Sequence, residues 1–382
     1  MELEIEVVSS LAEVPADAWN ALGAPEDPFT EHGFLRLLEE SESVGTEQSG
    51  WLPRHLLARR VVDGQRTLVG ALPLYLKNNS YGEFIFDFGW ANAAARAGLA
   101  YYPKLVSAVP FTPAGGRRIL VREADRDALT TPLIAAAQAV AEHDRASSLH
   151  VLFCTGDESA RLDALGLHAR RSTQYHFENH EGLDSFDGFL ASLRSPSRKQ
   201  VRKERERARG HGLTLSMRPF GELAEADVAA MWAFYRSTVA AHGGHRYLTR
   251  AFFEQLHTNP HAYAAMAHAG SEPMAGALFF FKGRSLYGRY WGARAELPML
   301  HFELCYYLPL EWGLARGLSR FEAGAQGEHK IKRGFLPNTC HSAHWAAHAG
   351  LDRAIADFVR EEASYVADEQ TLLTEGTPFR RG

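Results

Sequence analysis

The sequence predicts an α/β (α+β) chain of two related domains, and three observations carry that expectation. The chain has 382 residues, more than one ordinary core encloses and a natural length for two domains. Two segments echo each other at a separation of 206 residues: Gly70-Ala71-Leu72 opens a run ending Tyr81-Gly82-Glu83-Phe84, and Gly276-Ala277-Leu278 opens one ending Tyr287-Gly288-Arg289-Tyr290, with five of fifteen positions identical and no gap. Each echo follows a strand-like segment and a turn signal, His55 to Val62 with Asp63-Gly64 and His261 to His268 with Gly270-Ser271. Domains are expected at 1–180 and 181–382, the C-terminal helix being free to pack back on the first.

The elements follow in order. Met1 to Ser10 alternates Glu with aliphatics and reads as a first strand, since a signal peptide needs a basic start and an apolar run. Tyr81 to Trp90 reads as a strand with Phe84, Phe86 and Phe88 on one face and Glu83, Ile85 and Asp87 on the other. Thr131-Pro132 is a helix start for an alanine-rich helix to His143, and Leu149 to Phe153 reads as a buried strand. Val228, Met231, Trp232, Tyr235 and Val239 recur at helical spacing, so Glu225 to Ala241 is a helix with one face in the core. Phe302 to Arg316 is a helix ended by Gly317 and kinked at Pro309, and Arg320 to Ala323 is the strand after it.

Composition narrows the class. With 46% hydrophobic and 23% charged residues the chain reads as soluble and globular. No run approaches the roughly eighteen consecutive apolar residues of a transmembrane helix. Cys154, Cys305 and Cys340 fit neither a disulfide framework nor a zinc knuckle; they read as reduced thiols in a cytoplasm. The net charge of −5 argues against a general nucleic-acid binder, and no DNA partner is expected. Arg194 to Arg209 nevertheless holds eight basic and two acidic residues, a local +6 on a remainder of −11, which suits a local anion site.

Two motifs carry a family resemblance. The helix Leu193-Arg194-Ser195-Pro196-Ser197-Arg198-Lys199-Gln200-Val201-Arg202-Lys203, and the unit ending Phe321-Glu322-Ala323-Gly324 with Lys330-Ile331-Lys332-Arg333-Gly334-Phe335 after it, resemble the C-terminal domain of FemAB-like transferases, which are tandem GNAT proteins. The runs Gly324 to Lys330 and Tyr81 to Asp87 resemble a bacterial group of N-acyltransferases. The resemblance spans residues 50 to 350. It implies two tandem GNAT (acyl-CoA N-acyltransferase-like) domains and an enzyme that moves an acyl or aminoacyl group to an amine by direct attack in a ternary complex. The co-substrate would be aminoacyl-tRNA or an acyl thioester such as acyl-CoA, with no tightly bound cofactor. Fem-type members add amino acids from aminoacyl-tRNA to peptidoglycan precursors. This chain lacks their long coiled-coil insertion and carries a His-rich stretch after the motif.

The most informative candidate site is the run 324–335. Its glycines permit unusual backbone angles and close approach to a ligand. Glu328 and His329 can move a proton, with Glu303 in reserve; Gln326, Lys330 and Arg333 can hold an anionic group. The plainer reading is a solvated turn laced with ion pairs. Glu83 and Asp87, beside Tyr81 and Trp90, read either as a site that attracts a cationic amine acceptor, a small molecule or a peptide, or as a plain exposed strand face; Arg289, Tyr290 and Trp291 occupy the echoing place, where arginine suits an anion. The histidines His341, His344 and His348 lack a carboxylate or thiolate companion, so they read as structural or, at His344, as a substrate contact, and no metal is expected. Arg198, Lys199, Arg202 and Lys203 line a solvated face or an anion groove for a nucleotide or tRNA. Arg207 to Gly212 fits an R-x-x-G-x-G pyrophosphate loop but closes a helix instead of opening one, so a glycine cap is the better reading. Three functions remain: aminoacyl transfer from charged tRNA, favoured by the basic helix; acyl-CoA-dependent transfer to a small metabolite or lipid amine, favoured by the acidic body; and a non-catalytic binding protein with a degenerate GNAT fold.

Overall fold

The computed structural model describes residues 2–241, 244–324 and 327–380. The chain forms two compact units: unit 1 is Met1–Ser172 with Thr339–Asp368, and unit 2 is Thr173–Asn338 with Glu369–Gly382. The sequence had placed 339–368 with the second half; here the strand Leu336–Ala346 and the helix Ala349–Glu375 contribute residues to both units.

The two units repeat one order of elements. In unit 1 the strand Glu2–Val8 is followed by the helices Ala16–Asn20 and His32–Glu40, then by a hairpin of His55–Val62 and Gln65–Leu72 whose first arm pairs antiparallel with the opening strand. In unit 2 the strand Thr214–Pro219 is followed by Glu225–Ala241 and Arg250–Gln255, then by a hairpin of Ala262–Ala269 and Glu272–Lys282 with the same pairing. The first hairpin turns on Asp63 and Gly64, both left-handed with φ of 50° and 78°, the geometry that matches strand twist in a two-residue loop. A parallel strand–helix–strand crossover completes each unit. Lys104–Ser107, Arg126–His143 and Ser148–Cys154 form it in unit 1; Ser285–Ala293, the helical stretch 300–314 and Arg320–Glu322 form it in unit 2. This is the mixed α/β architecture of tandem GNAT domains. Each unit has its own core: Leu105, Leu133 and Leu149 are at the centre of one, Phe177, Phe279 and Phe321 at the centre of the other.

Three sequence expectations are corrected. The helix before His143 begins at Arg126, so Pro132 lies inside it. The i, i+4 series Leu129, Leu133, Ala137 and Ala141 is buried. Burying the leucines at about 1.5–3 kcal/mol each outweighs the roughly 3 kcal/mol that an internal proline costs. Tyr81 to Trp90 is not a strand: 81–87 is a turn-rich loop with Phe84 at φ 62°, and Phe88–Arg96 is a helix. Its aromatics do not share a core face, since Phe86 and Phe88 are 56% and 40% exposed while Glu83 and Asp87 are buried. The echo therefore matches structurally over Gly70–Leu72 and Gly276–Leu278, on corresponding hairpin arms, and diverges at its tyrosines. At the place expected for the Pro309 kink the helix changes type: a π-helical turn over Glu303–Tyr307 separates Leu300–Phe302 from Leu308–Leu314, and Pro309 lies in the first turn of the latter.

Candidate active site

In unit 2, the strands Ser285–Ala293 and Arg320–Glu322 pair through three positions, the last being Tyr287 opposite Glu322. Immediately beyond, a β-bulge leaves Arg289 unopposed, because Gly288 pairs with Phe279 and Tyr290 with Leu278. A bulge re-aims the side chain it carries. After Glu322 the chain leaves through Ala323 and Gly324 into the run 324–335. Gly324, Gly327 and Gly334 have φ of 87°, 115° and 92°, where a Cβ would be strained. Between the last two, Glu328–Arg333 coils as a 3₁₀ turn. Gln326 lies outside the described residues.

The turn is pinned from inside. Arg333 forms a two-pronged ion pair with Glu204, Nη2 to Oε1 at 2.8 Å and Nε to Oε2 at 3.1 Å, and its Nη1 donates to the His329 carbonyl at 2.6 Å. Tyr307 donates to the same carboxylate, and the guanidinium stands 3.4 Å from the centre of the Phe302 ring. Glu204 is the acidic residue on the buried stripe of the basic helix Ser195–Arg209, flanked by Val201 and Ala208 at helical spacing. That spacing was the signal in the sequence, and it went unused.

Lys330 is buried, and its Nζ donates to the Gly324 carbonyl at 2.7 Å. Burial lowers its pKa to about 8, with the nearby Cys305 pulling slightly the other way. His329 is exposed; its Nε2 lies 3.1 Å from the Tyr306 hydroxyl. Desolvation of its ring, then the charges of Arg333 and Lys330, lower its pKa against the pull of Glu204, so it is neutral near pH 7. His301, a neighbour missed in the sequence, is lowered to about 4, chiefly by burial and then by His329, Arg333 and Lys330. Burial also lowers the pKa of Arg289, against the pull of Tyr290 and Glu322. Tyr290 packs edge-on against Tyr235, and Trp291 against His301. Glu328 is exposed. Glu303 is buried and held by Arg205 Nη2 and Arg209 Nε, each 3.0 Å from its Oε1. Lys199, Arg202 and Lys203 are exposed and Arg198 half-buried.

The remaining candidates gather in unit 1. Glu83 and Asp87 do attract an ammonium, but it is that of Lys104: Nζ donates to Glu83 Oε2 at 2.8 Å, to Ser80 at 2.9 Å and to Asp87. Tyr101 donates to Asp87 at 2.6 Å. Lys77 reaches the Tyr81 carbonyl at 3.1 Å and stands 3.7 Å from the centre of the Trp51 ring. Burial raises Glu83 to about 7 despite Lys104. Burial also works against Asp87, but Lys104 and the hydrogen bonds from Lys104, Ser80 and Tyr101 win and lower its pKa. His344 Nδ1 sits 2.8 Å from His150 Nδ1, with Trp90 edge-on against the His344 ring. Glu83, Asp87, Trp90 and His344 are buried, so their chemistry is turned inward, while the Tyr81 side chain is exposed.

A fold of tandem GNAT domains with a polar turn at the ends of a parallel strand pair defines an acyltransferase. The chain matches the FemAB-like family, described as peptidoglycan biosynthesis/recognition, over residues 10–381. It belongs to that family. Among solved structures, FemX aligns at 13% identity over 93% of this chain and 100% of its own, with a TM-score of 0.54. The C-terminal domain of a putative lysylphosphatidylglycerol synthetase from Agrobacterium fabrum aligns at 10% identity over 91% and 95%, with a TM-score of 0.51. A tandem GNAT protein from the clavulanic acid biosynthesis pathway aligns at 14% identity over 91% and 99%, with a TM-score of 0.45. No curated protein matches the sequence. Among the described residues no helix is long and apolar enough to cross a membrane.

Proposed function

We propose that unit 2 transfers an aminoacyl group from aminoacyl-tRNA to an amine of a peptidoglycan precursor. The observation that carries this reading is the turn 328–333, which leaves a parallel strand pair at its carboxyl end, where α/β sheets bind ligands, and exposes His329 there beside the buried Lys330. The acceptor ammonium must lose a proton before its nitrogen attacks the donor carbonyl. His329 is the candidate base: it is accessible and neutral near pH 7, whereas Glu303 is tied to two arginines and Glu328 is a solvated carboxylate. Lys330 and Arg289 hold the donor's anionic part, and Arg333 positions the turn. Placing both substrates side by side supplies much of the remaining acceleration.

The exposed basic residues Lys199, Arg202 and Lys203 favour a tRNA donor over an acyl thioester. The family description supports the acceptor. The test is to incubate the protein with charged tRNAs and with acyl-CoAs, each with a peptidoglycan precursor peptide, and follow donor consumption. Turnover of charged tRNA alone supports this reading; turnover of acyl-CoA alone replaces the donor; turnover of neither sinks it.

A further inference from the structure

Residues 173–178 of the strand His168–Glu178 belong to unit 2 and place Gln174, His176 and Glu178 on one face by the two-residue period. Across the antiparallel ladder Glu322 stands opposite His176 and Arg320 opposite Glu178. A cavity of about 250 Å³ opens beside this strand, lined among others by His176, Glu178, Glu181, Leu183, Leu336 and Phe379. The transfer chemistry above uses none of these side chains.

His176 is 94% buried, with one ring nitrogen 3.1 Å from Gln174 Oε1 and 3.9 Å from Glu322 Oε2 and the other 4.0 Å from Glu178 Oε1. Burial lowers its pKa; Glu322 opposes this, and Arg320 and Lys330 add to it. The ring is therefore a neutral hydrogen-bonding group. The Arg320 guanidinium is engaged elsewhere, at 2.9 Å from the Tyr287 hydroxyl and 3.3 Å from Glu322. Glu178 is half-buried, and burial raises its pKa against the pull of Arg320 and His180, with Glu322 raising it further. A carboxylate in that state gains from an added cation. The cavity is smaller than the roughly 300–1,000 Å³ of whole-ligand pockets, so it fits one limb of a larger molecule.

We propose that this cavity is a subsite for a primary ammonium on a short aliphatic chain, carried by one of the two substrates of the transfer reaction proposed above, on which this inference rests. Glu178 and Glu181 meet the charge, His176 accepts a hydrogen bond from it, and Leu183, Leu336 and Phe379 cover the methylenes. The ammonium comes either from the transferred aminoacyl group or from the acceptor.

The full chain is titrated with n-butylammonium and, separately, with n-butanol as neutral isostere. The His176 imidazole resonance, assigned by its loss in His176→Gln, should move with butylammonium. Butylammonium should bind at least about tenfold more tightly than butanol, and Glu178→Gln should abolish that preference. Equal binding of the two probes, or an unchanged preference in Glu178→Gln, overturns the proposal. In turnover, Glu178→Gln raises KM for the donor if the ammonium is on the aminoacyl group and for the acceptor if it is there; an unmoved KM for both also overturns it. If no donor is consumed while butylammonium still moves His176, it is the transfer reaction that fails and the ammonium pocket that stands.

Discussion

Units 1 and 2 repeat one order of elements and differ at the carboxyl ends of their parallel strands. In unit 1 the chain leaving Lys104–Ser107 fills the space itself: every residue from 104 to 114 is buried. Arg118 closes it, donating to the carbonyls of Leu152 at 2.8 Å and Ala114 at 2.6 Å, while Glu158 accepts the amides of Arg118 and Ile119 at 3.0 and 2.9 Å. In unit 2 it is the chain leaving the second parallel strand, Arg320–Glu322, that opens outward, as the glycine-bounded turn that carries exposed Glu328, His329 and Lys332. Both units bury ion pairs. The pairs that Lys104 makes with Glu83 and Asp87 in unit 1 fix a loop, whereas the Arg333–Glu204 pair of unit 2 braces a turn whose outer side meets solvent. A topology thus offers a site, and the segment after the strand decides whether the protein or a ligand occupies it.

The sharpest way to break this comparison is in unit 1. Lys104→Met strips the cation from buried Glu83 and Asp87 and should destabilise the protein by about 3–5 kcal/mol, as removal of one partner from a buried pair does. Urea unfolding reads this, and a loss below about 1 kcal/mol would show that the network is not closed as described. In unit 2, His329→Gln should lower kcat by about 10²–10⁴-fold with unfolding unchanged. Full turnover would return the proton to Glu328. Lys330→Ala should raise KM for the anionic donor by about 10–100-fold with kcat little changed, since it removes a charged hydrogen bond worth about 1.5–3 kcal/mol. Because Lys330 is buried, this variant also loses some stability, and Lys330→Met separates the two effects by keeping the volume. Equal loss of kcat in both variants would make Lys330 part of the chemistry.

Acid should weaken unit 1 through its histidine pair. Burial holds His150 and His344 well below 6.5, so the folded state binds fewer protons than the unfolded state once the pH falls under that value. Stability is therefore complete above pH 6.5 and falls below it, by up to about 1.4 kcal/mol per pH unit for each ring. Urea melts at pH 7 and pH 5 measure this, and a His344→Gln variant should flatten the slope. The smallest effect is expected on the exposed helix. Arg202→Glu with Lys203→Glu should weaken charged-tRNA turnover and flatten its salt dependence while leaving stability within about 0.5 kcal/mol. Equal loss with an acyl-CoA donor would point to folding instead.

The legible parts of the fold were those fixed by neighbours in sequence. The hairpin turning on Asp63-Gly64 and the bounds of the helix Glu225–Ala241 follow from local turn chemistry and from helical spacing and stand as read, but the buried face of the helix is Ala230, Met231, Phe234 and Tyr235, with Val228, Trp232 and Val239 only half-buried. The segment Tyr81 to Trp90 was misread because alternation describes a strand only when distant residues cooperate. Its register is set by Lys104, 21 residues after Glu83, which draws the carboxylates inward and leaves the phenyl rings outside. Likewise, the polar run after Phe321 was visible, whereas the partners that pin it were not. Glu204 lies 129 residues before Arg333, and no local pattern records that distance.

The discontinuity of unit 1 has a consequence for how the chain is made. His150 and His344, a bonded pair, are 194 residues apart, and strand Ser148–Cys154 pairs along one edge with residues 341–346. At about 5–20 residues per second, a ribosome delivers the second partner roughly 10–40 s after the first. During that interval the apolar strand edge is bare and can template pairing with another nascent chain. Unit 1 is the first to begin synthesis, yet it cannot close until almost all of unit 2 has been translated.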